Sequence, residues 1–328
     1  RITARKGLVN AYGHSFRDIS GAMTLIKGDL KLESLTTRWN GSTVKLKARV
    51  LNVSDPKEVA VAGSVDRMRW ENAQSLIESA ISSAKTARPG NAEEPKPWVR
   101  IFKYIIPKKF PDILGEISIG SIAHRNFSFK KMVLLWNVRG ISPALNHVSG
   151  DIKVGFGPGR VNDIPAVQDA HKLLRIVFLP FIYMHKMNNL SVFSAATAYP
   201  KTLDFTRIEG EYGIRSGVAT TRCFYVDSPQ VVAYADGTAD LGKERVDMNI
   251  LTRLTSYRDP LPEWWTDELG RPAIGFHVRN DLNKPDLDPR LSKMGANEIE
   301  RAVGDCKARS KLHQGALPKA RDHRIKEE

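Results

Sequence analysis

Apolar side chains recur at every second position in two distant stretches of this chain, and that period limits its fold more than any other feature. Val246, Met248 and Ile250 alternate with Asp247 and Asn249, while Val44, Leu46, Ala48 and Val50 alternate with Lys45, Lys47 and Arg49. A period of two puts one set of side chains on each face of a β-strand. Around the first run, Phe205 to Arg253 reads as four or five short strands laid end over end. Turn-forming residues separate them at Arg215-Ser216-Gly217, Asp227-Ser228-Pro229, Asp236-Gly237 and Leu241-Gly242-Lys243-Glu244. The expectation is a β-meander.

The first segment repeats the design. Asn40-Gly41 predicts a hairpin pairing Ser34–Trp39 with the Val44–Val50 strand. Leu30 and Leu32 extend the pattern upstream, and Val59, Val61 and Val65 extend it downstream. This sheet would have one aliphatic face and one strongly basic face. The aliphatic face either packs as a half-buried core or meets a ligand.

Three stretches change the period. Ala73, Leu76, Ile77, Ala80, Ile81 and Ala84 fall at three- and four-residue spacing, predicting an amphipathic helix over Asn72–Ala84. Asp163 to Leu179 reads as a second helix with Asp163 at its cap and Pro165 in its first turn. Ala296–Leu312 could form a third inside a basic tail read as solvated. Lys85–Pro97 reads as a linker. The aromatic and basic Trp98–Phe110 reads as another strand with a charged edge, or as a segment lying on lipid headgroups.

A short pattern of glycine, usually an acid, then apolar, variable, apolar recurs. It appears at Gly28-Asp29-Leu30-Lys31-Leu32, Gly115-Glu116-Ile117-Ser118-Ile119, Gly150-Asp151-Ile152-Lys153-Val154 and Gly210-Glu211-Tyr212-Gly213-Ile214, and more loosely at Gly237–Leu241. Glycine permits a turn or a bulge, and the two apolar residues share a face. The spacing is too irregular for a solenoid, so the pattern reads as one hairpin design reused along one sheet.

Reactive chemistry is not indicated. The histidines form no H-x-x-x-H or H-E-x-x-H pair, and no C-x-x-C, G-x-S-x-G or P-loop lysine occurs. Gly155-Phe156-Gly157-Pro158-Gly159-Arg160 departs from a dinucleotide fingerprint and reads as a hairpin turn. No enzyme, metal or cofactor is expected. Cys223 lies in a predicted strand and Cys306 in the polar tail, so no disulfide is expected between them.

With 328 residues and a net charge of +14, the chain suits an anionic contact. Its basic residues are spread along strands and the tail, with no recognition helix or RNP motif, so nucleic acid is not the expected partner. The most apolar window, Leu173–Met184, is shorter than the roughly 20 residues of a spanning helix. Beginning Arg-Ile-Thr, without a methionine or signal peptide, the chain reads as a fragment or processed product.

From Ile113 to Asp288 the chain resembles the C-terminal region of the AsmA-like proteins. The echoes are Ser216-Gly217-Val218, Ser228-Pro229 before an apolar strand, Gly237–Leu241 before Val246–Ile250, and a closing strand over Phe276–Leu287. The family's usual glycine in that closing motif is replaced here by Asn280 or Asp281. The resemblance implies a mainly β fold: an elongated, twisted antiparallel β-sheet forming an open, taco-like groove, with two or three short helices. With their TamB-like and YhdP-like relatives, these proteins are periplasmic and anchored to the inner membrane by an N-terminal segment. They are thought to carry phospholipids toward the outer membrane.

That resemblance divides the chain into a strand-rich segment (1–85), a linker (86–110), a β-groove domain (111–288) and a basic tail (289–328). It implies groove-lining roles for Ile152, Val154, Phe156, Tyr212, Ile214, Phe224, Val226, Val246, Met248 and Ile250. Phospholipids, and outer-membrane or other envelope proteins, are the implied partners. Two other readings stay open: an envelope assembly module with a closed dry core, and a basic polyanion-binding protein. Met248→Arg and Val154→Asp separate groove from closed core, since only the closed core would unfold.

Overall fold

The computed structural model describes residues 1–86, 106–163, 202–255, 263–282 and 284–310. Five strands open the chain: β1 (Ile2–Ala11), β2 (His14–Ile26), β3 (Asp29–Trp39), β4 (Ser42–Leu51) and β5 (Glu58–Val65). A short β6 (Met68–Arg69) leads into helix α1 (Trp70–Thr86). The sheet resumes with β7 (Asp112–His124), β8 (Phe127–Arg139), β9 (Ser149–Phe156) and β10 (Gly159–Val161). It continues through β11 (Leu203–Phe205), β12 (Arg207–Arg215), β13 (Val218–Asp227), β14 (Val231–Asp240), β15 (Arg245–Leu254), β16 (Ala273–Asp281) and β17 (Asp286–Pro289). A 3₁₀ turn (Glu263–Trp265) precedes β16, and helix α2 (Glu298–Arg309) follows β17.

All 17 strands belong to one large open sheet that does not close on itself. Neighbours in sequence pair antiparallel from β1 through β5, and β7 continues antiparallel through β8 to β9 and β10. β12 joins β9 and begins the run that ends at β17, with β11 beside β10. The antiparallel expectation fails at one seam, where β5 and β6 pair with β7 in parallel. The reason is the connection: α1 and the residues after it return the chain to the end of the sheet where β5 began, as a parallel pair demands.

The hairpin signals divide into turns and non-turns. Asn40 and Gly41 (φ 48° and 78°) and Ser216 and Gly217 (φ 48° and 76°) are left-handed pairs closing two-residue hairpins, as their sequences predict. Asp236-Gly237 is no turn: it lies inside β14, opposite Asn249 and Met248. The register between β13 and β14 shifts beside it, and Gly237 (φ 136°) takes a conformation that other residues rarely adopt.

Gly155–Arg160 is no hairpin either. Both β9 and β10 run beside β8, and Gly157 N–H donates to the Lys130 carbonyl at 2.8 Å while Lys130 N–H donates to the Pro158 carbonyl at 3.0 Å. The glycines permit close approach, since a Cβ on Gly159 would sit 2.5 Å from the Ser128 carbonyl oxygen. The recurrent glycine pattern is likewise mixed, with a hairpin turn at Gly28, a strand start at Gly150 and mid-strand positions at Gly115 and Gly210. The closing segment Phe276–Leu287 is a hairpin of β16 and β17, not one strand.

The largest departure lies after Pro289. Through residue 310 this segment folds onto the sheet, and the third predicted helix forms as α2, with Ile299, Val303 and Cys306 buried against Cys223, Tyr225, Ala273 and Met294. Cys306 is bonded to Cys223 across 83 positions with Cα atoms 5.4 Å apart, correcting the expectation of no disulfide. Sequence reading placed Cys306 in solvent because Glu300, Arg301, Asp305 and Lys307 surround it, yet these line the helix's other sides. Arg253 Nε reaches Glu300 at 2.7 Å, and Lys307 Nζ reaches Asp227 at 2.7 Å.

The first predicted helix forms as α1, which buries Trp70 and Ala73. The Asp163–Leu179 helix, the apolar run after it and most of Lys85–Phe110 lie outside the described residues.

Candidate functional site

Alternation becomes functional only if the inward sets of successive strands line up, and here they do. One row crosses the sheet from Met23 through Leu32, Ala48, Val61, Gly115, Trp136 and Ile152 to Tyr212. The next runs from Leu35 through Leu46, Gly63, Ile117, Leu134, Val154 and Gly210 to Phe224. Both pass over the parallel seam without losing their face. At two of the glycines in these rows, Gly115 and Gly210, an aromatic ring covers the gap, while Gly63 is met by Leu46 and Ile117. A Cβ on Gly115 would lie 2.6 Å from the Trp136 ring, and one on Gly210 would lie 2.7 Å from the Tyr212 hydroxyl.

Lys131 (φ 54°) adopts a left-handed conformation close to Gly120, and there the strands exchange faces. As a result Phe127 and Phe129 stay on the same side as Met132 and Leu134, and Ile122 on the same side as Ile117 and Ile119. Phe129 stacks on Phe127 at 5.2 Å and meets Phe156 edge-on at 4.9 Å.

The candidate lining residues share this face. Phe156, Ile208 and Val226 are cross-strand neighbours, as are Ile152 with Tyr212 and Gly150 with Ile214. On β15, Val246, Met248 and Ile250 lie opposite Ala239, Gly237 and Ala235. Their burial differs. Val154, Phe156, Phe224, Val226, Val246 and Ile250 are buried in one cluster, with Tyr212 and Met248 half-buried at its margin. Ile152 and Ile214 join a neighbouring cluster with Val138, Leu145 and Val148. Trp70 from the first turn of α1 and Trp265 from the 3₁₀ turn pack into the main cluster.

The accessible part of the same rows lies upstream. Leu30, Leu32, Leu35, Leu46, Val50 and Val61 are half-buried and outside the buried clusters. Those residues are absent from the candidate lining set, although the Val44–Val50 alternation is the signal that marks them.

The opposite face carries the charge. On β3 and β4, Lys31, Lys45, Lys47 and Arg49 stand beside Ala60, Ala62 and Ser64 of β5. Arg49 lies 4.0 Å from Asp29 and Arg38 lies 3.6 Å from Asp18. Further along, α2 covers this face, and a tight cluster lies beneath it. Glu209, cross-strand from Tyr225, is buried and accepts from Arg207 Nε at 2.5 Å, and Lys307 Nζ sits 5.4 Å from the centre of the Tyr225 ring. Burial, then the Glu209 charge, pushes the Tyr225 phenol well above its usual range, and burial alone does the same at Tyr212.

Among the described residues no group of His, Cys, Asp and Glu is placed to hold a metal ion, and no helix is long and apolar enough to cross a membrane. Comparison with protein-family models, with curated proteins and with solved structures gives no match.

Proposed function

We propose that this chain is a non-enzymatic, periplasmic lipid-handling protein of the AsmA-like kind, which carries phospholipid acyl chains along the apolar face of its open sheet between inner and outer membrane. The observation that carries the reading is the in-register apolar rows. They run from half-exposed strands β2–β5, across the seam, into the buried face of β7–β16. A mainly apolar face of that extent, broken only by single threonines such as Thr37, Thr221 and Thr252, suits acyl chains, each apolar contact contributing at about 25 cal/mol per Å². The Cys223–Cys306 disulfide supports an oxidising compartment such as the periplasm. The basic opposite face supports nearness to anionic headgroups.

The test is direct. Purified protein is extracted with organic solvent, the extract is searched for phospholipid by mass spectrometry, and a photo-crosslinkable phospholipid is offered to the emptied chain. Crosslinks should map to β3–β5, around Leu32, Leu46 and Val61. A lipid-free preparation that takes up no probe removes the reading.

One observation favours a second reading, an envelope assembly module with a dry core: the candidate lining residues of β9 and β12–β15 are largely buried. In that case crosslinks would be absent and a partner protein would cover β2–β5.

A further inference from the structure

Aliphatic side chains stand exposed at one end of strands β2–β5, where a chain surrounded only by water would place polar ones. The β2–β3 hairpin closes between Ile26 and Asp29 through Lys27 and Gly28, both left-handed (φ 50° and 88°). This tight turn carries Leu25 and Ile26 out at 61% and 62% exposure. Beside it, the β4–β5 loop presents Val53 at 46% exposure. The two apices form one unit: Val53 N–H donates to the Gly28 carbonyl at 2.8 Å, and Asn52 N–H donates to Asp29 Oδ1 at 3.0 Å. The start of β7 is tied in as well, since Asp112 N–H donates to the Lys57 carbonyl at 2.9 Å.

Exposed lysines accompany these side chains: Lys27 and Lys57 in the two turns, and Lys108 and Lys109 just before β7. The carboxylates at this rim are mostly engaged. Asp29 accepts from Asn52 and faces Arg49, Asp112 accepts from Gly140, and Glu58 is half-buried, which leaves Asp55 as the fully exposed acid of the two turns.

We infer that this rim docks on an anionic phospholipid bilayer, with Leu25, Ile26 and Val53 entering the headgroup–acyl boundary and the lysines held at the phosphates. Aliphatic apices have no counterpart on nucleic acid, which offers phosphates and stacking bases. A bilayer boundary takes both the apolar tips and lysine stems that run along apolar surface to a charged end. The inference does not need the sheet to transport lipid.

The test is flotation of the full chain with vesicles of phosphatidylcholine alone and of phosphatidylcholine mixed with phosphatidylglycerol. Wild-type protein should float with the mixed vesicles and remain below with the neutral ones. The Leu25→Ser/Ile26→Ser/Val53→Ser variant should bind about a hundredfold more weakly, and Lys27→Glu/Lys57→Glu about tenfold or more. Leu269→Ser/Leu291→Ser, which removes exposed aliphatics elsewhere, should float as wild type. In case the triple variant melts early, Val53→Trp supplies an independent readout, because the emission it adds to that of the wild type should be quenched by bromine-labelled lipid. Flotation of the triple variant equal to wild type, wild-type protein that stays below with both vesicles, or added Val53→Trp emission that bromine leaves unquenched would overturn the inference. So would a chain that takes up lipid in solution but ignores vesicles, and that result would leave lipid carriage standing.

Discussion

Single residues decide where this sheet can bend and where it cannot. Gly115 lies between the Val61 carbonyl oxygen, 2.2 Å from an added Cβ, and the Trp136 ring. Gly115→Ala should therefore cost about 1–3 kcal/mol in urea unfolding, since neither neighbour can move without disturbing a strand. Gly304 is the opposite case, an exposed helical glycine with nothing near its missing Cβ. Gly304→Ala should stabilise by roughly 0.5–1 kcal/mol in the same assay. His124 makes a pH prediction. Its Nδ1 accepts the Asn126 amide at 3.2 Å, and burial holds the imidazole below its ordinary value, aided by Arg125 and opposed by Glu71. A folded value below the unfolded one means the unfolded chain takes the proton first. Stability should then fall as pH drops below about 6.5 and level off once the folded state is protonated too. His124→Gln should flatten that slope in pH-dependent thermal melting. Residue by residue, the alternation was legible in the sequence, but glycine's two uses were not. Gly41 and Gly237 each follow a small polar residue, Asn40 or Asp236, and only the register tells turn from bulge.

At the scale of elements, the docking of helix α2 is what sequence reading missed, since it placed this helix in a solvated tail, and chemistry fixes that docking firmly. Its charged surface suggested a solvated tail, yet Ile299, Val303 and Cys306 recur at helical spacing and make a narrow buried stripe. Three residues among many charges give a weak periodic signal, and a cysteine pair 83 positions apart gives none of its own. Replacing both cysteines with alanine should cost about 4 kcal/mol in unfolding free energy. Melting of the wild type should drop to the variant's value when reductant is added, and the variant should ignore reductant. Amide exchange over residues 298–309 should accelerate first, because the remaining ties there are a narrow apolar contact through Ile299 and Val303 and ion pairs such as Arg253–Glu300 and Lys307–Asp227. Helix α1, by contrast, was readable because Ala73, Leu76, Ile77 and Ala80 form a wide stripe.

For the whole molecule, the open β-rich sheet followed from the sequence, while the gradient of burial along it did not. The alternations of Val44–Val50 and Val246–Ile250 look alike, yet the first is half-buried and Val246 and Ile250 are fully enclosed. They share their cluster with Trp70 and Trp265, which come from α1 and the 3₁₀ turn, outside either alternation. The two regions should answer differently to an inserted charge. Val154→Asp should destabilise by about 4 kcal/mol or more, since the carboxylate has no partner in a buried cluster, so a variant at this position does not separate an open groove from a closed core as the sequence suggested. Leu46→Asp should leave the chain folded by circular dichroism and thermal melting while abolishing uptake of the photo-crosslinkable lipid. Equal loss of fold in both variants would count against an accessible strip on β2–β5.

The parallel seam between β5 and β7 also shapes the order of events in folding. Upstream of it, strands pair with their neighbours in sequence, so that meander can zip from its own turns with short loops to close, and downstream the same holds within β7–β9 and within β12–β17, which meet through the β9–β12 pair. The seam instead waits for α1 and the residues after it to bring β7 back, and it must then match eight pairs, Glu58–Asp112 to Val65–Ile119, in one step. During synthesis the upstream meander would complete first and present β5 as a template. The slow phase of refolding should thus belong to docking of the two halves, when a slip of one residue would turn every row inside out.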